Sequence, residues 1–391
     1  MRRFSGKLRL LATAFMLLST MAAILLLAAV LFDLVSPLLW GEGFSGDLAR
    51  IPYYADKAWT AQFVADQEAI GSSTVAYAPF TVWQRPGYRS STVNVDDAGR
   101  RVVPAASTDP AALRVFFFGG SAMWGTSSPD WATIPNQVVE LSKDRSPRPI
   151  HAVNYGESAW VSTQSVIALE QSLRRGERPE IAVFYEGAND LLLGMTNASA
   201  YEHLEYLRIE TLFNSQGRGR DTATVRWPKP SLLARALLPN TFFRMDRRNQ
   251  YSRVPYDWTD EELGRLADQV VSVYRTNQDL VRALATRYGF EVRFYWQPHL
   301  SYDKKPVCEA EKAMDNPQAR WPRMFRRFIR QVEPRLAEIR SDDFRDLSRV
   351  FADRTEQIFT DPVHVTPDGN RLVATAMVED LERNCRAFQG K

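Results

Sequence analysis

The chain has 391 residues, 45% of them hydrophobic and 24% charged, so it can bury a core of ordinary size in one or two domains. Its net charge of +3 is too small to argue for nucleic acid as a partner. The two cysteines, Cys308 and Cys385, stand far apart, and there is no CxxC, zinc-type spacing, Walker loop or GxGxxG. Metal, redox and nucleotide chemistry therefore have no basis in the sequence, and neither a cofactor nor a metal is expected. In an oxidising compartment the two thiols could join as one disulfide; the alternative is two buried thiols.

Residues 10–32 contain no charged side chain. A helix of roughly 20 such residues spans a bilayer. Arg2, Arg3, Lys7 and Arg9 precede the run and Asp33 follows it. This charge bias keeps the short amino terminus in the cytoplasm and sends the remainder across, to the periplasm in a bacterium. A cleaved signal peptide is the competing reading, but its apolar region is usually only about 7–15 residues. The longer run, with Trp40 beyond its far end as an interfacial anchor, favours an uncleaved signal anchor over residues 1–40.

Residues 41–110 show many aromatics and no strong helical period. Residues 77–103 read as short extended pieces with turns at Pro86-Gly87 and Asp97-Ala98-Gly99. We read this stretch as an extracytoplasmic leader that packs on a main domain covering 111–391. There, apolar runs at 113–118, 149–153, 180–185 and 290–296 read as buried strands. Between them, residues 138–141 and 166–173 carry apolar residues at helical spacing. The clearest helix starts at Thr259, which with Glu262 has capping-box spacing, and stops at Gly289. A last helix starts at Thr366-Pro367. Strands alternating with helices predict an α/β fold with a mostly parallel sheet covered on both faces, and active residues beyond the carboxyl ends of its strands. The alternation stops at about 196–254, which we read as an insertion. Within it, residues 218–253 hold nine basic and two acidic residues, either a solvated surface or a patch for anionic lipid or acidic polysaccharide.

Four short motifs fall where an active site belongs. Gly119-Gly120-Ser121 follows the first strand; glycines there allow a tight strand-to-helix turn that exposes a hydroxyl. Asn154-Tyr155-Gly156-Glu157 follows the second strand, with a glycine whose N–H could face a cleft. Gly187-Ala188-Asn189-Asp190 follows the third, and an asparagine can donate to an oxyanion or cap a helix. Asp361-Pro362-Val363-His364 precedes the last helix, with a carboxylate spaced to orient an imidazole. Each motif alone is weak; together, in this order, they are specific.

On these four blocks the chain resembles the SGNH (GDSL-like) hydrolase family, named for a Ser, Gly, Asn and His. The resemblance covers roughly 113–195 and 290–381. It implies a three-layer α/β/α sandwich, with Ser121 as nucleophile, His364 as general base and Asp361 orienting it. It also implies an oxyanion hole from the N–H groups of Ser121 and Gly156 and the side chain of Asn189. One position departs: the family's first block usually reads Gly-Asp-Ser, and here Gly120 replaces the acid, which leaves the bracing of that turn open. Among the other histidines, His151 lies in a strand, His203 in the insertion, and His299 follows the fourth strand and could line the pocket. Trp124 and Glu157 either contact substrate or pack.

The sequence thus leads us to expect a membrane-anchored serine esterase that removes acyl groups, acetyl among them, from a cell-envelope glycan or lipid. An O-acyltransferase using the same triad, and a non-catalytic protein that binds glycan or scaffolds an envelope complex, are the alternatives.

Overall fold

The structure is a computed structural model that describes residues 2–40, 48, 50–72, 75–207, 209–210, 237–238, 258–312, 314 and 319–391. Its contacts divide into two units, Met1–Gly43 with Leu212–Ser252, and Phe44–Thr211 with Arg253–Lys391.

In the first unit, α1 (Arg2–Trp40) is a single helix. Its segment Phe15–Val35 has a mean hydropathy of 2.6 and exposes its large apolar side chains, so it is long and apolar enough to cross a membrane, a property that signal sequences share. The basic stretch 218–253 lies outside the described residues apart from 237–238.

The second unit is built on a five-stranded sheet, β3 (Leu113–Gly119), β4 (Ile150–Asn154), β5 (Ile181–Glu186), β6 (Glu291–Trp296) and β7 (Phe344–Asp346). The spatial order is β4-β3-β5-β6-β7 and every pairing is parallel. Alternation along β3 sorts its side chains to two cores. Leu113, Val115 and Phe117 face α4 (Ile134–Ser142) and α10 (Pro367–Asn384), through Ile134, Val138, Val373 and Met377. Phe116 and Phe118 face α5 (Ser162–Arg174) and α7 (Asp260–Tyr288), through Val166, Leu169 and Val281. Each such ring taken out of water contributes about 2 kcal/mol. The result is the three-layer α/β/α sandwich.

The two strongest helix signals sit where they were expected. Thr259 and Glu262 close a reciprocal capping box on α7, and Gly289 ends it at φ 74°. Thr366 caps α10 with Pro367 in its first turn. Three elements were not legible. The strand β7 is three residues long, partly exposed and at the edge of the sheet. The helix α9 (Arg320–Ala337) lays Phe325, Phe328 and Val332 against α7, with arginines between them. The leader, which shows no strong helical period, contains α2 (Thr60–Ser72). There Asp66 and Gln67 are buried beside Phe63 and Ile70, and these polar residues break the apolar period. Asp66 is held by Tyr88 Oη, at 3.1 Å, and by the hydroxyls of Ser90 and Thr92.

The rest of the leader is extended. A small antiparallel hairpin, β1 (Ala76–Ala78) and β2 (Val82–Gln84), precedes isolated bridges from Tyr88 to Val95 and Val95 to Arg101. Leader residues Leu48, Ile51, Tyr54, Phe63, Val93 and Val95 form one apolar cluster with Trp124, which lies three residues after Ser121.

Candidate active site

In a parallel sheet the crevice forms where successive strands leave one strand in opposite directions. Here that strand is β3, flanked by β4 and β5. The motifs after β3, β4 and β5 therefore converge on one end of the sheet.

Ser121 opens α3 (Ser121–Trp124), a single turn that follows β3 directly. Its Oγ lies 2.7 Å from His364 Nε2, and His364 Nδ1 lies 2.6 Å from Asp361 Oδ2. Asp361 also accepts the backbone N–H groups of Val363 and His364 on Oδ1, each at 2.7 Å. Burial acts to raise the Asp361 carboxyl. The neighbouring His364, by charge and hydrogen bond, and the two N–H groups outweigh it and hold the carboxyl below the usual aspartate value. An ionised carboxylate only accepts, so Nδ1 carries the imidazole proton and Nε2 is left to accept from the Ser121 hydroxyl. The imidazole is largely covered, its side chain 17% exposed.

The histidine loop is tied on both sides. Thr360 N–H donates to His364 O at 2.9 Å, and Thr360 Oγ1 meets Ser127 Oγ at 2.9 Å, joining this loop to the segment after α3. Tyr54 of the leader donates its hydroxyl to Ser127 O at 2.6 Å. Just upstream, the buried Glu311 accepts the N–H groups of Ile358 and Phe359 on one oxygen, and Lys305 Nζ with Cys308 N–H on the other. These partners hold its carboxyl low against the burial that would raise it.

The asparagine after β5 is also placed here. Asn189 Nδ2 donates to Trp160 O at 2.7 Å, which leaves its second amide proton over. A Cβ added at Gly120 would meet that Nδ2 at 2.4 Å and Trp160 O at 3.2 Å. The missing side chain at Gly120 is the space that lets Asn189 approach the serine turn.

Gly156 does something other than expected. Its N–H is not turned to a cleft but donates to Asn154 Oδ1 at 2.9 Å. A Cβ there would meet Trp124 N at 2.6 Å and Met123 C at 2.9 Å, so this glycine serves the close approach of the β4 loop to α3. In the same loop Ala159 adopts φ 62°, a left-handed conformation rare for a residue with a Cβ, and among the described residues its N–H has no acceptor. No motif announces it, since the residue is not glycine.

The other singled-out residues serve the scaffold. Trp124 is fully buried with two guanidinium groups against its ring, Arg85 at 4.2 Å and Arg101 at 4.4 Å. Glu157 is buried against Arg85, with Nε at 3.1 Å. His151 Nδ1 pairs with Ser107 O at 2.9 Å, and His299 caps a short turn through Ser301 N–H at 3.0 Å. His203 lies edge-on to Trp83 at 5.5 Å. Cys308 and Cys385 are both free thiols. Among the described residues no group of three or more His, Cys, Asp or Glu could hold a metal ion.

No family model and no curated protein matches the chain. Among solved structures it is similar to an acetyl xylan esterase, at 14% identity over 68% of this chain and 98% of that one, with a TM-score of 0.36. It is similar to a member of the lipolytic protein G-D-S-L family from Veillonella parvula, at 13% identity over 68% and 97%, with a TM-score of 0.35. A lipase from a goat rumen metagenome shares 10% identity over 69% and 97%, with a TM-score of 0.39.

Proposed function

We propose that this chain is a serine ester hydrolase of the SGNH type, held at a membrane by α1 with its second unit on the extracytoplasmic side. The observation that carries the reading is the relay from Ser121 Oγ through His364 to Asp361, with contacts of 2.7 and 2.6 Å.

In this mechanism His364 Nε2 takes the Ser121 proton as Oγ attacks an ester carbonyl. The proton then passes to the leaving alcohol, and an acyl-serine remains. Water, deprotonated by the same nitrogen, releases the acid. Asp361 stabilises the imidazolium that forms and fixes its tautomer. The oxyanion would be met by Ser121 N–H at the start of α3 and by the free amide proton of Asn189. Because Gly156 N–H is spent on Asn154, the third donor falls to Ala159 N–H, whose neighbour Trp160 already touches Asn189. The proposed substrate is an acylated glycan or lipid of the cell envelope, since the anchor confines the site to that surface.

The test is hydrolysis of p-nitrophenyl esters of increasing acyl length by the full chain in detergent, beside Ser121→Ala. Loss of activity in the variant is expected. A folded wild type without Ser121-dependent hydrolysis would sink the reading. Turnover only with a sugar acceptor present would turn it to acyl transfer by the same triad.

A further inference from the structure

The leader strand β2 and the residues that flank it make more contacts to the oxyanion side of the site than a spacer needs. Thr81 O accepts Gln164 Nε2 at 2.8 Å. Trp83 Nε1 donates to Ser158 O at 2.9 Å, and Trp160 Nε1 donates back to Trp83 O at 3.3 Å. Arg85 gives its backbone N–H to Glu157 Oε2 at 2.9 Å, its Nε to Glu157 Oε1 at 3.1 Å and its Nη2 to Ser158 Oγ at 2.7 Å. Every partner lies in residues 157–164, which cover the irregular loop after β4 and the first residues of α5.

Residues 155–161 lie in no helix or strand. This loop holds Ala159 in its left-handed conformation and presents Trp160 O to Asn189. The hairpin β1–β2 has only two strands, a size that is marginal in isolation, so these bonds fix the loop and the hairpin together. The arrangement uses expensive parts: two nearly buried indoles and a buried carboxylate, Glu157, which needs Arg85 as its counter-ion. Arg85 also covers the Trp124 ring at 4.2 Å, on the turn that Ser121 begins. One leader side chain therefore touches both the serine turn and the oxyanion loop.

We infer that Trp83 and Arg85 of the leader are positioning residues for ester hydrolysis, bracing loop 157–161 so that its N–H and the Asn189 amide keep their place beside Ser121. This inference rests on the proposed hydrolase reading for its kinetic consequence, but not for its structural one.

Two measurements on the full chain test it, with Trp83→Phe, Arg85→Met and Arg85→Lys. The first is amide hydrogen exchange in peptides covering 157–164, with α10 as the internal reference. Exchange about tenfold faster in Trp83→Phe and Arg85→Met, with α10 unchanged, is expected. Unchanged exchange overturns the brace whether or not the protein is an esterase. The second is steady-state ester hydrolysis. A fall in kcat of about 10- to 100-fold with KM within about twofold is expected, as for a small misplacement of a catalytic donor, with partial recovery in Arg85→Lys. A kcat within about twofold of wild type in both variants, despite loosened exchange, overturns the catalytic part. If Arg85→Met does not fold, Trp83→Phe decides, since it keeps an aromatic ring in place while removing the N–H that Ser158 O accepts and part of the indole. Absence of Ser121-dependent turnover in the wild type fails the hydrolase reading separately, and removes the kinetic part while the exchange result still judges the brace.

Discussion

Ser121 is delivered by backbone and His364 by side chains. On the serine side, Gly120 and Gly156 leave out the Cβ atoms that would meet Asn189 and Trp124, and the turn forms through close approach. On the histidine side, Asp361 and Glu311 between them collect four backbone N–H groups of residues 358–364, and the loop is held by charge-assisted hydrogen bonds. The two halves should therefore fail differently. Added bulk breaks the first without changing its charge, and lost charge breaks the second without changing its bulk.

The largest effect removes the groups proposed to react. Ser121→Ala and His364→Gln should each lower kcat by about 10⁴-fold or more, measured by ester hydrolysis on folded protein. Asp361→Asn should come next, at about 10³- to 10⁴-fold, because an amide can offer Nδ1 a proton and invert the tautomer. A loss below tenfold would mean that the imidazole is held by other groups. Gly120→Asp should lower kcat by about 10²-fold, close to the loss in Asn189→Ala, because its Cβ displaces the same amide. Equal activity in Gly120→Asp would show that the serine turn has room to spare. The smallest effect on rate and the clearest on stability belongs to Glu311→Gln, which leaves Lys305 buried without its counter-ion. A loss of about 3 kcal/mol by denaturant titration is expected.

That last contribution should depend on pH in a stated direction. The Glu311 carboxyl is held below its ordinary value in the folded protein. Its stabilisation is thus complete above the unfolded value of about 4.3 and is lost as pH falls through the lower folded value. Wild type and Glu311→Gln should therefore converge in stability only in acid.

The sandwich was legible because its strands are continuous apolar runs and its helices carry caps. The predicted strands at 113–118 and 180–185 differ from β3 and β5 by a residue at their ends. The meeting of Ser121, Asn189 and His364 followed from motif order, since each block sits at the same end of the sheet. Glu311 and Arg85 gave no warning. Their partners are backbone groups and a distant carboxylate, and such contacts leave no periodic trace in a single sequence. Gly156 misled for a related reason: a glycine beside a strand serves a turn, a donor or a close contact, and only packing distinguishes these.

The two thiols, described above only as free, differ in chemistry. Cys385 is buried at the end of α10, and burial pushes its thiol up to about 12. It should stay protonated and inert to maleimide in the native protein. Cys308 is partly exposed and gives its own N–H to Glu311. A single reporter dye can therefore be placed at Cys308 without any engineering, beside the Glu311 staple that steadies the histidine loop.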